Sequence, residues 1–169
     1  LYAQLVVDNN LTDEQMVQSL AGEGVVVSNI IFDCPDGAYG TFNGENSNVG
    51  MNSGLILTSG TIENAIGPNN SGSQTGGNDA LGDPDLDQIN GVLGTNDACA
   101  VYFDVEVASD TLKFNYVFGS EEYPEFVDSF NDVFAFYIEG PGVPFQNIAI
   151  IPNTTTTVSI NNVNDTDNS

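Results

Sequence analysis

Glu121, Glu122, Glu125, Asp128, Asn131 and Asp132 crowd into one short stretch of the chain. The flanks of that stretch, Phe114-Asn115-Tyr116-Val117-Phe118 and Val133-Phe134-Ala135-Phe136, are aromatic and read as β-strands, so the acids belong to an inter-strand loop. Carboxylates gathered there with no cation of the chain's own repel one another. A hard metal ion relieves that repulsion, and Ca²⁺ accepts about six to eight oxygen ligands in tolerant geometry. Glu121, Glu122, Asp128, Asn131 and Asp132 are therefore the expected ligands of a bound Ca²⁺. The same side chains admit a second chemistry. A glycosidase needs two carboxyl groups flanking a bond, and Glu121 or Glu122 with Asp128 or Asp132 can supply them. The two uses compete, because calcium favours the ionised carboxylates and removes the general acid. Occupancy by calcium is the preferred reading, and no catalytic residue is assigned.

Composition narrows the alternatives. The chain has 169 residues, 24 acids, a single base (Lys113) and no histidine, for a formal charge of −23. Such a charge excludes nucleic acid as a partner, since phosphate binding needs Lys and Arg. It equally excludes direct docking on anionic lipid. Without histidine, Ser–His, Cys–His and His-ligated zinc chemistry are impossible within the chain. Self-repulsion on this scale disfavours the compact state, which again points to bound cations. At 40% hydrophobic and 15% charged, the chain is nonetheless that of a folded protein and not of an acidic tail. No apolar run is long enough to span a membrane.

Two cysteines, Cys34 and Cys99, stand in no metal-type spacing. In an exported protein a disulfide is the favoured reading over two buried thiols. Leu1-Tyr2-Ala3-Gln4 resembles the end of a secretory signal, with residues 1–3 as its remnant.

The elements that must position the loop are mostly strands. Thr12-Asp13-Glu14-Gln15 fits a capping box and opens one short helix, with Met16, Val17, Leu20 and Ala21 as its apolar stripe and Gly22 as its stop. Strands are predicted at 24–32, 54–59, 98–107, 111–118, 133–139, 147–151 and 155–163. Ser109-Asp110 reads as a hairpin turn between the third and fourth. With no helices between consecutive strands, the expected fold is all-β: an antiparallel β-sandwich or jelly-roll-like domain over residues 1–169, with one N-terminal helix. The segment 63–96 is a long loop rich in Gly, Asn and Ser. It ends in Asp83-Pro84-Asp85-Leu86-Asp87, which opens like an EF-hand but carries Gln88 where glycine is required and Gly94 where glutamate is required. A plain acidic loop and a contribution to a calcium site both remain open there. Residues 164–169 read as a polar tail or the start of missing strands.

Several segments, taken in order, resemble the choice-of-anchor L domain. The opening is carried by Leu11-Thr12 with the helix and by Gly24-Val25-Val26-Val27-Ser28-Asn29; the core strand by Gly54-Leu55-Ile56-Leu57-Thr58-Ser59-Gly60; and Gly67-Pro68-Asn69, Asp85-Leu86 and Asp97-Ala98 follow. Most specific is Phe118-Gly119-Ser120-Glu121-Glu122-Tyr123 followed by Phe130-Asn131-Asp132-Val133-Phe134. The resemblance implies a secreted, cell-surface module of the kind found in Bacteroidota, a separable C-terminal anchor, and often type IX secretion. It implies no enzymatic activity. Family members continue into further strands after Val163, so the sandwich is expected to be incomplete at its C-terminal end. An open edge of that kind can accept a strand from a neighbouring chain, as in a filament.

The function expected from these readings is a calcium-stabilised, non-catalytic, extracellular module with an adhesion, matrix or filament role. Its candidate partners are surface glycans, matrix proteins and further copies of itself. The alternatives are a calcium-dependent carbohydrate-binding module and a carboxylate-based glycoside hydrolase. Asp110-Thr111-Leu112 also resembles a short O-glycosylation motif used in Bacteroidota, with Thr111 as acceptor.

Overall fold

The computed structural model describes residues 4–71, 74, 76–89 and 94–164. The expectations at residues 1–3 and in most of the tail lie outside this range. Among the described residues the fold is all-β with one short α-helix and two 3-10 turns, and the strand pairings are antiparallel. The described residues gather into two compact units. Of the described residues, one unit takes those up to position 70, those between 74 and 81 and those from 96 to 117, and the other takes the rest.

In the first unit, β1 (Val6–Asp8), β3 (Tyr39–Asn43) and β4 (Ser53–Leu57) form a three-stranded sheet in the order β1-β3-β4. Gly40 in β3 was not legible as part of a strand, because glycine weakens strand interiors. It is required by crowding: a Cβ there would lie 2.6 Å from the Asp8 carbonyl oxygen and 2.7 Å from Ile62 Cδ1. The helix α1 (Asp13–Gln18) has the expected capping box, with the Gln15 N–H donating to Thr12 Oγ1 at 3.3 Å and the Thr12 N–H to Gln15 Oε1 at 3.0 Å. It buries Met16 and Val17 and ends at Ser19, short of Gly22, leaving Leu20 beyond the helix and exposed.

The second sheet of this unit pairs β2 (Val25–Asp33) with β5 (Ala100–Val107). Its register is interrupted between Ser28 and Ile31, where Asn29 adopts φ 53° and donates from Nδ2 to Asp104 Oδ2 at 2.6 Å. Asp33 lies opposite Ala100, so the next residues on each strand, Cys34 and Cys99, face one another. They form the expected disulfide, with Cα atoms 4.1 Å apart. Closing a loop of 65 residues constrains the unfolded chain by about 4 kcal/mol in the chain-entropy model.

One expected strand is absent. The run 111–118 alternates as a strand should, with Leu112 and Phe114 half-buried and Lys113 and Asn115 exposed, yet it carries no ladder. The partner of β5 is β2, so the Ser109-Asp110 turn joins no hairpin; instead Ser109 Oγ donates to the Thr111 carbonyl at 3.0 Å. Periodicity reports which faces are apolar, not whether a partner edge is available.

In the second unit, β6 (Val133–Phe134) pairs with β9 (Val158–Ser159), and β7 (Tyr137–Gly140) forms a hairpin with β8 (Val143–Asn147). The single strand expected at 133–139 is thus two short ones. Those expected at 147–151 and 155–163 contract to the end of β8, an isolated Ile150–Thr157 bridge, and β9. Ala149, Ile151, Val158 and Ile160 are its buried apolar residues near these strands.

Candidate functional site

The acidic loop enters β6 from a series of turns spanning 121–129. Ser120 Oγ accepts the Glu122 N–H at 3.1 Å, and the Glu122 carbonyl accepts the Phe126 N–H at 3.0 Å. Phe126 and Phe130 then meet edge to face, with ring centroids 5.5 Å apart. This local framework turns Glu122 and Tyr123 inward. Both are partly buried, and Glu122 Oε2 and Tyr123 Oη are enclosed atoms with no hydrogen-bond partner among the described residues.

Electrostatics at this point is one-signed. Desolvation, then the charge of Asp132, then that of Glu121 push the Glu122 carboxyl up to about 7. Desolvation followed by Glu121 raises Asp132 as well, although Asp132 is exposed as a residue. The Tyr123 phenol rises for the same reasons, burial first and Asp132 second. Glu122 therefore senses the charges of Asp132 and Glu121, and Asp132 that of Glu121.

The other two expected ligands are engaged differently. Asp128 lies at φ 68°, and its N–H donates to Asn161 Oδ1 at 2.8 Å. The Asn161 N–H in turn donates to Asn131 Oδ1 at 3.0 Å, and the Ile160 N–H to the Asp132 carbonyl at 3.0 Å. Asn161 is thus the residue that ties the loop's C-terminal half to the β9 segment. Its placement within the strand expected at 155–163 concealed this, since only tertiary pairing brings it to the loop. Among the described residues, no group of three or more acidic or cysteine side chains stands close enough to hold a metal ion. The carboxylates repel across a gap; they do not form a closed cage.

The Asp83–Asp87 turn is organised by hydrogen bonds to its carboxylates. Asp83 Oδ1 accepts the N–H groups of Asp85 and Leu86 at 2.8 and 3.1 Å. Asp87 Oδ1 accepts the Thr95 N–H at 2.6 Å and the Thr95 hydroxyl at 2.9 Å. Gly82 packs against the Thr95 carbonyl, too closely for any side chain to fit. Thr111, the expected glycosylation acceptor, is exposed, with its hydroxyl donating to Asp110 Oδ1 at 3.2 Å.

The model of the choice-of-anchor L domain matches residues 5–169, which takes in the acidic loop and both units. The chain belongs to that family. No curated protein and no solved structure matches it. Membership makes this choice-of-anchor L chain a secreted, surface-located module. Among its described residues no helix is long and apolar enough to cross a membrane.

Proposed function

We propose that this choice-of-anchor L chain is a non-catalytic extracellular module whose acidic loop is stabilised by Ca²⁺, with a role in adhesion or matrix contact. The observation that supports the reading is the enclosed, unpartnered Glu122 Oε2 facing the charges of Asp132 and Glu121. A buried acceptor without a donor is costly, and here the missing positive charge has no local source, because Lys113 is the chain's only base. Carboxylate oxygens are the hard ligands that Ca²⁺ takes, in numbers that waters and main-chain carbonyls complete. Glu121, Glu122 and Asp132 do not stand close enough to one another to hold an ion as they are, so binding would draw them in around it, with Glu122 as the inward ligand. Asp128 and Asn131, clamped through Asn161, would sit at the rim. Bound calcium keeps these carboxyls ionised, so the general acid needed for glycoside cleavage is lost.

A metal that binds only the folded state raises its melting point as the free ion concentration rises. Thermal melts across a calcium titration should show that rise, reversed by chelator, and magnesium should give less because it demands stricter geometry. Melting curves that superimpose in millimolar calcium and in excess chelator would refute the calcium reading.

A further inference from the structure

The second unit carries a cleft of about 620 Å³ lined by Gln88, Tyr137, Asn147, Asn162 and the threonines at 155–157, with Ile89 as its apolar member. In a chain of 24 acids and one base, no charged side chain among the described residues lines it. We infer that this cleft is a binding site for a neutral oligosaccharide.

The residues present match that ligand chemistry. Sugar hydroxyls both donate and accept, and amides and hydroxyls are the side chains that answer in both senses. The hydroxyls of Thr155, Thr156 and Thr157 make no hydrogen bond to other described residues, while the main-chain N–H and carbonyl of Thr156 and the carbonyl of Thr157 are paired. Gln88 uses its Nε2 on the Pro84 carbonyl, which leaves its amide oxygen as an acceptor. Asn147 Oδ1 accepts the N–H groups of Phe136 and Ala149, which fixes the amide plane at the cleft wall.

The aromatic member is held rigidly. The Tyr137 hydroxyl donates to the Asp85 carbonyl at 2.9 Å, and its ring stacks on Phe145 with centroids 4.7 Å apart and planes within 4°. A ring pinned at its polar tip and backed by a second ring is a ready surface for the C–H face of a sugar. Burial first, then the nearby charges of Asp85 and Asp83, raise the pKa of this phenol. The same charges disfavour an anionic ligand. A few fixed polar groups around an aromatic wall are what small-ligand sites use for orientation and specificity.

The inference rests on the reading of the chain as a non-catalytic binding module, but not on calcium. The test is calorimetric titration of the full chain with cellohexaose, xylohexaose, mannohexaose and hexa-N-acetylchitohexaose, and with hexagalacturonate as the anionic probe, each in calcium and in chelator. At least one neutral sugar should bind, with affinity lowered about fivefold by Thr156→Ala and again by Gln88→Ala, each loss corresponding to one hydrogen bond. The Thr156 side chain is half-buried and its hydroxyl makes no hydrogen bond to other described residues, so the melting point of Thr156→Ala should stay close to the parent, while Gln88→Ala also loses the bond to the Pro84 carbonyl and is read against its own melting curve. Failure of every neutral sugar to bind at millimolar concentration, tighter binding of hexagalacturonate, or indifference to both substitutions would overturn the inference. Chromatography of the bound sugar separates the two readings: shortened products would sink the non-catalytic one and leave the cleft standing.

Discussion

At Asp83–Asp87 the carboxylates meet hydrogen-bond donors; at Glu121–Asp132 they meet one another. Asp83 takes two main-chain N–H groups and Asp87 takes the N–H and hydroxyl of Thr95. Asp97 in the first unit behaves the same way, its two oxygens accepting the N–H groups of Ala80 and Asn78 at 2.6 and 3.1 Å. By contrast, Glu122 leaves an enclosed oxygen unpartnered and has its pKa pushed up to about 7. Equal acidity along the chain thus hides opposite roles. Where main-chain donors are supplied by a turn, an aspartate organises the backbone. Where they are not, charge accumulates and the carboxyl pKa rises.

Removing a carboxylate should therefore have opposite consequences in the two places. The largest effect is expected for Asp87→Ala, which strips two short hydrogen bonds from Thr95 and leaves its N–H unpaired. Charge-assisted bonds of this kind are worth about 1.5–3 kcal/mol. The loss in melting stability should be the same in calcium and in chelator; a loss seen only in calcium would assign this turn to a metal and erase the contrast.

How far this contrast was legible in the sequence depends on range. The capping box at Thr12 and Gln15 involves neighbours, and it forms as read. The disulfide was favoured from compartment, and the β2–β5 register then places Cys34 opposite Cys99. The inward turn of Glu122 depends on the Ser120 and Phe126 hydrogen bonds within the loop, so its crowding with Asp132 could be foreseen. The engagement of Asn131 and Asp128 could not, because it passes through Asn161, roughly 30 residues away. Likewise the Asp83–Asp87 turn is decided by Thr95, which no EF-hand comparison would single out. The 111–118 run failed for a related reason: alternation is local, but a strand needs an edge to pair with.

A smaller effect, of opposite sign, is expected for Glu122→Gln. In chelator the amide removes one of the mutually repelling charges and should stabilise the fold by about 1 kcal/mol, a figure discounted for the side chain's partial exposure. In calcium the same substitution deletes a proposed ligand, so the calcium-dependent gain in melting point should shrink. A variant less stable than the parent in both conditions would mean that Glu122 serves the fold as Asp87 does, and the two regions would no longer differ.

The finest expected distinction is a slope. Glu122 has a folded-state pKa of about 7 against an ordinary value of 4.5. Between those values the folded state holds more proton than the unfolded chain, so this group favours folding at low pH, and that contribution is lost as pH rises toward 7. Above about 7 both states are ionised there, and the trend flattens. Asp132, shifted in the same direction by burial and by Glu121, adds to the slope. The remaining acids repel more strongly as they ionise and also lower stability with pH, so the parent curve alone does not isolate the loop. The difference between parent and Glu122→Gln in chelator does isolate it: the advantage of the variant should be nearly absent at pH 4.5 and grow until about pH 7. With calcium bound, ligand ionisation is favoured, so the stabilisation by calcium should increase across the same window while the chelator curve falls. Parallel curves for parent and variant across that window would show that the Glu122 carboxyl ionises as freely as a surface acid, and that the loop's crowding is nominal.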